Sequence, residues 1–290
     1  MSNDRIVIGV DFGEPSLAAV HWVARHFADA ELVLVHSVFV PEPPEFLRGL
    51  YPPNDHLIED ARRGAEARLA KLAGSLGAVR VQTEVRMGRP DEGLVAAATE
   101  RQAGLVVVGP HGERPGVWKL IGSTAERVVR RTPMAVLLAR GLRQESPRRV
   151  LLALDESEAH RDVLAWGARL QRRLGASVVA MHVVNPLQHG AALIGASPGE
   201  RLRVEDQFRA RATEWVEREA TAAGVPDPLV HVAFGDAGFE VLSAITRFGA
   251  GLTVVGRHGA SGTRGPLVGG VPEFLLRNGT GPVLIVPGPA

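Results

Sequence analysis

The sequence contains no cysteine among its 290 residues. This absence excludes disulfide scaffolds, thiolate-bound metals, iron–sulfur clusters and thiol catalysis, and it is compatible with a reducing compartment. The sequence also lacks an apolar run near the roughly 18 residues that a membrane-spanning helix needs, and its N-terminus lacks the pattern of a signal peptide. We therefore expect a soluble, cytoplasmic protein with no membrane partner.

The chain also lacks an excess of charge of one sign, since it has 33 basic and 32 acidic residues and a formal net charge of +1. Such a balance creates no strong field toward nucleic acid, so we expect no nucleic-acid partner. The composition that is present, 45% hydrophobic and 22% charged, is typical of a globular protein. The length fits two domains of ordinary size better than one.

The two halves of the chain repeat one another. Residues 5–13 read RIVIGVDFG and residues 149–157 read RVLLALDES. Farther along, LVVVGPHG at 105–112 matches LTVVGRHG at 252–259. Repetition of this kind indicates one structural unit that has been duplicated. The sequence thus predicts a first domain at 1–140, a charged linker at 141–149 and a second domain at 150–290.

Each half alternates strand-like and helix-like patterns. In the first half the predicted strands are 6–10, 32–38, 79–85, 105–109 and 135–139, and the clearest helices are 57–76 and 91–102. Nearly unbroken Val, Ile and Leu strands are typical of a parallel sheet that is covered on both faces. We therefore predict an α/β fold in which each half forms a doubly wound, open, parallel sheet of five strands.

Two features of each half fall at the carboxyl ends of predicted strands, where open parallel sheets bind their ligands. The first is an aspartate that follows the first strand, Asp11 or Asp155. The second is the pattern G-x-x-G, nine residues, G-[S/T], which begins at Gly109 and recurs from Gly256 with the same glycine spacing. Glycines let a backbone approach an anion closely, and the following helix offers N–H groups and a positive dipole end. The pattern therefore favours a phosphate site.

Plainer interpretations of these two features stay open. A glycine turn occurs in proteins without a ligand, and an aspartate after a strand often caps the next helix. Residues 123–126 (STAE) also predict a capping box at the start of the helix that follows the glycine pattern. The recurrence of both features together in each half favours ligand binding over these readings.

These motifs resemble those of the universal stress protein family, and the resemblance covers nearly the whole chain as two tandem modules. It rests on the strand-Gly-x-Asp start, a second strand ending in His36-Ser37 or His182-Val183, the glycine pattern, and a closing strand led by Pro-Val-type residues. The resemblance implies a Rossmann-like fold that binds ATP, with or without Mg²⁺, and a sensing or regulatory role in the stress response. It also implies an unidentified protein partner, and pairing of modules through 135–139 and 283–286, within one chain or in a homodimer.

The resemblance implies a role for each matching position. Asp11 and Asp155 would hydrogen-bond the adenosine part of ATP, and Ser37 and Val183 would pair with the adenine edge through their backbones. Gly9 would let the first strand approach the ligand. The other candidates form the glycine patterns that would hold ribose and phosphates: Gly109, Pro110, His111, Gly112, Gly122, Ser123 and Thr124, and then Gly256, Arg257, His258, Gly259, Gly269, Gly270 and Val271.

The second half departs from this pattern in two places. Ala153 stands where the first half has Gly9, and Gly270 stands where the first half has the hydroxyl of Ser123. A lost hydrogen bond to a charged oxygen is worth roughly 1.5–3 kcal/mol. Our hypothesis is that both halves bind ATP and that the second binds it more weakly.

Other functions are open. The Walker A string, an early G-x-G-x-x-G and the G-x-S-x-G elbow are all absent, and no general base can be assigned, so we expect no enzyme beyond a slow ATPase. His111 and His258 are interpreted as turn residues, His36 and His182 as structural histidines, and no spacing predicts a metal site. Two alternatives remain: a module that binds only a protein partner, and a domain that binds flavin or another dinucleotide.

Overall fold

The computed structural model of the chain describes residues 5–40, 55–110, 122–185, 197–259 and 269–288. The described residues form two compact units, the first reaching Ala139 and the second starting at Arg140. In these ranges no helix is long and apolar enough to cross a membrane.

The first unit alternates strands and helices as predicted. Its elements are β1 (Arg5–Gly9), α1 (Glu14–His26), β2 (Glu31–Val38), α2 (Asp55–Gly74), β3 (Arg80–Met87), α3 (Pro90–Glu100), β4 (Leu105–Val108), α4 (Ser123–Arg131) and β5 (Ala135–Leu138). The strands pair in parallel in the order β3-β2-β1-β4-β5. This is the doubly wound sheet that the strand pattern predicts.

The second unit repeats this arrangement. Its elements are β6 (Arg149–Leu154), α5 (Ala159–Leu174), β7 (Ser177–Val184), α6 (Pro198–Ala222), β8 (Leu229–Phe234), α7 (Ala237–Phe248), β9 (Leu252–Gly256), α8 (Gly270–Asn278) and β10 (Val283–Val286). The parallel order is β8-β7-β6-β9-β10. The α/β fold with two tandem parallel sheets is therefore confirmed. Arg149, which was predicted to end the linker, is the first residue of β6.

Apolar strands form the centre of each unit because helices cover both faces of the sheet. Every residue of β4, β5 and β10 is buried, as expected for parallel strands made of Val, Leu, Ile and Ala. The helices end where the sequence supplies suitable residues. For example, α5 ends at Leu174 and is followed by Gly175, whose φ of 64° is the left-handed conformation that glycine adopts without strain.

The predicted capping box at 123–126 is wrong. Helix α4 has Gly122, with a non-helical ψ of 140°, as its N-cap, so Ser123 is already the first helical residue, and no side chain caps this end. Glu126 instead accepts a hydrogen bond from Arg130 Nη2 at 2.9 Å. The start of α4 thus does not use the Ser123 hydroxyl as a cap.

The strand order determines where a ligand can enter. In each unit the chain order reverses between the first and fourth strands, so the loops that follow β1 and β4, or β6 and β9, leave in opposite directions. The crevice between such loops is the usual ligand site of an open parallel sheet. Asp11, Asp155 and the glycine patterns lie at these two crevices.

Candidate functional site

A cavity of about 320 Å³ opens at the carboxyl ends of β1, β2 and β4 and at the start of α4. We call it the first cavity. It is lined by the predicted site residues Gly9, Asp11, Ser37, Gly109, Pro110, Gly122, Ser123 and Thr124. The candidates His111 and Gly112 lie outside the described residues.

The turn after β1 holds the Asp11 carboxylate at the first cavity. Asp11 Oδ1 accepts a hydrogen bond from the Gly13 amide at 2.9 Å, which closes the turn before α1. Between them Phe12 has a φ of 65°, a conformation that is uncommon for a large side chain. Asp155 makes the equivalent bond in the second unit, where its Oδ1 accepts from the Ser157 amide at 3.0 Å.

His36 and His182 fix the ends of neighbouring strands. His36 Nδ1 lies 2.7 Å from the Val10 carbonyl oxygen, and His182 Nδ1 lies 3.0 Å from the Leu154 carbonyl oxygen. A carbonyl can only accept, so each ring donates from Nδ1. Both histidines also line their cavities, but this shared bond supports the structural role that the sequence indicates.

The two ends of each glycine pattern are joined by the same backbone hydrogen bond. The Gly122 amide donates to the Pro110 carbonyl at 2.8 Å, and the Gly269 amide donates to the Arg257 carbonyl at 2.7 Å. The positions correspond, since Pro110 and Arg257 each follow the first glycine of the pattern. This bond brings the start of α4 or α8 against the end of the fourth strand of its own unit.

The glycines of the second pattern are needed for close packing. A Cβ on Gly259 would lie 2.7 Å from Asp155 Oδ2, so only glycine lets the turn lie against the carboxylate. A Cβ on Gly269 would lie 3.1 Å from the Arg257 carbonyl oxygen. Gly270 differs, because nothing lies within 4 Å of a Cβ placed there.

Gly9 and Ala153 are explained by the helix that packs behind them. A Cβ on Gly9 would lie 2.9 Å from Leu94 Cδ1 of α3, so the larger leucine occupies the space that a methyl group would take. In the second unit Ala153 stands at the position of Gly9 and the smaller Val241 of α7 at that of Leu94, and both line the equivalent cavity of that unit. The larger residue on the strand of the second unit thus coincides with a smaller residue on the helix.

A second cavity, of about 410 Å³, lies at the equivalent place in the second unit. The predicted site residues that line it are Asp155, Val183, Gly256, Gly259, Gly269, Gly270 and Val271. Arg257 and His258 are not among its lining residues. Arg257 is buried, which lowers its pKa, and burial followed by the Arg257 charge lowers the pKa of His258.

The sequence pattern of the universal stress protein family matches the chain over residues 2–140 and again over 147–287. The chain belongs to this family. It is 31% identical to a universal stress protein of Mycolicibacterium smegmatis, covering 97% of this chain and 96% of that one. It is also 27% identical to the universal stress protein Rv1996 of Mycobacterium tuberculosis, over 98% of this chain and 95% of that protein.

Solved structures show the same fold. A universal stress protein of Archaeoglobus fulgidus superimposes with a TM-score of 0.70 at 15% identity, covering all of both chains. A functionally unknown protein, PA1789, of Pseudomonas aeruginosa superimposes with a TM-score of 0.72 at 16% identity, over 99% of this chain and 93% of that one. At these identities the likeness concerns the tandem universal stress protein fold.

Sequence reasoning missed the cavity walls contributed by the third helix of each universal stress protein unit. Pro90 and Leu94 of α3 line the first cavity, and Asp236, Ala237 and Val241 line the second. A usable signal was present, because these residues follow the third strands, whose carboxyl ends lie at the same edge of the sheet as Asp11 and Asp155. The missed Phe274, one turn into α8, had no such signal.

His160 is another lining residue that the sequence did not single out. Its Nδ1 lies 2.6 Å from the Ser157 carbonyl oxygen, and its Nε2 lies 3.3 Å from Glu219 Oε2 of α6. In the first unit Ser16 occupies this place, and its hydroxyl donates to the Gly13 carbonyl at 3.0 Å. The second cavity thus has an imidazole and a nearby carboxylate where the first has a hydroxyl.

Within the described ranges, no three His, Asp or Glu side chains are grouped so that they could hold a metal ion. The polar groups of the first cavity are instead hydroxyls, backbone groups at the glycine pattern, His36 and the Asp11 carboxylate. Hydroxyl and amide groups suit the recognition of a polar organic ligand.

Proposed function

We propose that this universal stress protein binds ATP in its first cavity and acts as a nucleotide-dependent sensor or regulator of the stress response. The observation that carries the proposal is convergence: Asp11, the strand-end glycines and the start of α4 line one cavity of about 320 Å³. This volume lies within the range of roughly 300–1,000 Å³ that small-molecule sites occupy.

The lining groups fit the parts of an adenine nucleotide. A carboxylate such as Asp11 accepts hydrogen bonds, which suits the hydroxyl donors of a ribose. The N-terminal end of α4 and the hydroxyls of Ser123 and Thr124 provide donors that suit phosphate oxygens. The backbone at Ser37 is proposed to recognise the adenine edge. Mg²⁺, where it accompanies the phosphates, would share their oxygens.

The second cavity is proposed to bind ATP more weakly than the first. The first residue of α8 is Gly270, which offers no hydroxyl, whereas the first residue of α4 is Ser123. The backbone N–H groups at the start of α8 remain available for an anion. The same proposal covers the predicted domains 1–140 and 150–290 as the two binding modules.

The first test is to purify the protein without added nucleotide, denature it and quantify the released small molecules by chromatography and mass spectrometry. We expect adenine nucleotide at near one per chain, or approaching two if both cavities retain it. Protein that releases none and shows no ATP binding in calorimetry contradicts the proposal. The interaction module without nucleotide would then be the better account.

A matched substitution tests the role of Asp11. Asp11→Asn keeps the Oδ1 acceptor that holds the Gly13 amide, but it removes the carboxylate charge and one acceptor. We expect ATP affinity of the first cavity to fall about tenfold to a hundredfold, with little change in thermal stability. Unchanged ATP binding in calorimetry would show that Asp11 only closes the turn.

The regulatory part of the proposal concerns what ATP changes. We propose that ATP occupancy alters the conformation or partners of a cytoplasmic protein that forms a homodimer or pairs its own modules, and that turnover is at most slow. Light scattering with and without ATP tests self-association, and phosphate release tests hydrolysis. Turnover at rates typical of enzymes, about 1 s⁻¹ or faster, would favour the enzyme alternative.

A further inference from the structure

The third and fourth helices of the first unit are joined by charges. Asp91, the second residue of α3, is fully buried, and its carboxylate lies 3.0 Å from Arg131 Nη1 and 3.6 Å from Arg127 Nη1 of α4. Arg89, the N-cap of α3, lies 3.4 Å from the same carboxylate, and Glu92 lies 3.3 Å from Arg131. Three arginines and two carboxylates thus flank the first cavity, where Pro90 and Ser123 line the wall.

In the second unit Phe274 and Phe239 stand at the positions of Arg127 and Glu92, and Gly238 stands at the position of Asp91. Gly238 is the second residue of α7, and Phe274 is the fifth of α8, as Arg127 is the fifth of α4. A Cβ on Gly238 would lie 2.6 Å from Phe274 Cγ, so glycine allows this ring to lie against α7. The Phe239 ring contacts the Phe274 ring at a tilt of 60°, with ring centroids 4.7 Å apart, and Phe239 is 65% exposed. Phe274 itself lines the second cavity.

The polar lining of the second cavity has also changed. Its described lining residues include the carboxylates of Asp155, Glu156 and Asp236 and no serine or threonine. The described lining of the first cavity has Asp11 as its one carboxylate, together with four hydroxyl side chains. Several carboxylates repel a polyphosphate, whereas they accept hydrogen bonds from hydroxyl and amino groups.

We infer that the second cavity is a site for an uncharged nucleoside, with adenosine as its type, rather than for a nucleoside triphosphate. The flat ring of Phe274 suits an aromatic base, and the carboxylates suit the donor groups of a ribose and an exocyclic amine. The inference rests on the proposed function, since it assumes that the equivalent first cavity takes ATP. It names the ligand class that the weaker site prefers.

Calorimetry with ATP and with adenosine on two variants tests the inference. In Asp11→Asn, ATP binding at the first cavity is weakened, so a two-site fit resolves the second cavity, where we expect adenosine to bind at least tenfold more tightly than ATP. In Asp155→Asn, binding reports mainly the first cavity, and we expect ATP to bind more tightly than adenosine. The Asn side chain at 155 keeps the acceptor for the Ser157 amide.

The outcomes separate the two claims. If ATP fails to bind Asp155→Asn protein, the proposed function fails at the first cavity. If ATP binds the second cavity of Asp11→Asn protein as tightly as adenosine or more tightly, or if neither ligand binds that cavity, this inference is overturned whatever the first cavity does.

Two further variants show which groups make the selection. Glu156→Gln with Asp236→Asn removes two charges, while Asn keeps the acceptor through which Asp236 caps α7. In the Asp11→Asn background we expect this change to strengthen ATP binding severalfold and leave adenosine binding nearly unchanged. Phe274→Leu should weaken adenosine binding and spare ATP. Equal effects of either change on both ligands contradict the assignment.

Discussion

The close packing of Leu94 of α3 against Gly9 of β1 yields a quantitative prediction about the stability of the first unit. A methyl group at Gly9 would lie 2.9 Å from Leu94 Cδ1 and 3.3 Å from Cδ2. Overpacking of a core costs typically 1–3 kcal/mol, and replacing glycine by alanine returns about 0.4–1 kcal/mol through the unfolded chain. The colliding atoms are the ends of a flexible side chain, so we expect Gly9→Ala to lower the free energy of unfolding by about 1 kcal/mol.

Leu94→Val removes the two colliding Cδ positions. As a single change it takes carbon from a side chain that is only 4% exposed, and we expect a cost of about 1 kcal/mol. Independent effects would give the double variant a loss of about 2 kcal/mol. Because valine makes room for the new methyl group, we expect the double variant to lose about 1 kcal/mol or less, which is a coupling of about 1 kcal/mol.

Urea unfolding measures the four members of this cycle, and native-state hydrogen exchange of the β1 amides reports the first unit by itself. The second unit supplies the matched control, since Ala153→Gly with Val241→Leu makes the reverse exchange. Losses that simply add, or a double variant worse than the sum, would refute the size argument. Gly9 would then be explained by the ligand, as the family resemblance implies.

Three other predictions concern a buried carboxylate, a helix start and buried histidines. Asp91→Asn should lower the free energy of unfolding, measured in urea, by about 1–2 kcal/mol. It leaves three arginines without their buried carboxylate, but these arginines are partly exposed, so water limits the loss. An unchanged free energy of unfolding would show that solvent screens these ion pairs. Gly270→Ser should strengthen ATP binding at the second cavity about tenfold without lowering Tm, since nothing lies within 4 Å of the added Cβ; weaker binding would contradict the role of the lost hydroxyl. Burial, and after it a neighbouring arginine, lowers the pKa of His26, His231 and His258 in the folded protein. The unfolded chain therefore binds protons at a higher pH than the folded protein does, and we expect the urea midpoint to be constant above about pH 6.5 and to fall below it. A urea midpoint that rises on acidification would contradict this prediction.

The fold was predictable because its signals are local. Runs of Val, Ile and Leu marked the strands, and the prediction of 32–38 differs from β2 (Glu31–Val38) by one residue. Motif spacing also placed Asp11 and the glycine pattern at one crevice. The start of α4 was misjudged, because one residue decides whether Gly122 or Ser123 is the N-cap, and sequence patterns do not fix helix ends that closely.

Contacts between distant segments were beyond local patterns. His160 meets Glu219 across 59 positions, and nothing near either residue in the sequence indicates the other. The contact of Gly238 with Phe274 is of the same kind. From the sequence alone a glycine within a helix indicates only lower helix stability, and the structure shows that the Phe274 ring needs the space. The repeat did offer one route to such contacts, because comparing the halves shows that Asp91 and Arg127 changed together.

The helices α3 and α4 are joined by charges, whereas α7 and α8 are joined by Phe274 against Gly238. This difference constrains the order in which the two repeated units can have diverged. Starting from a charged pair, loss of Asp91 first leaves Arg89, Arg127 and Arg131 without the carboxylate that they share. If Arg127 is replaced by phenylalanine first, the new ring meets the Asp91 side chain. In the second unit the Phe274 ring has space only because the corresponding residue, Gly238, has no side chain. Both single steps are costly, so the exchange is accessible mainly while the other copy maintains function. We therefore expect a single-module relative to keep one pairing or the other rather than a mixture.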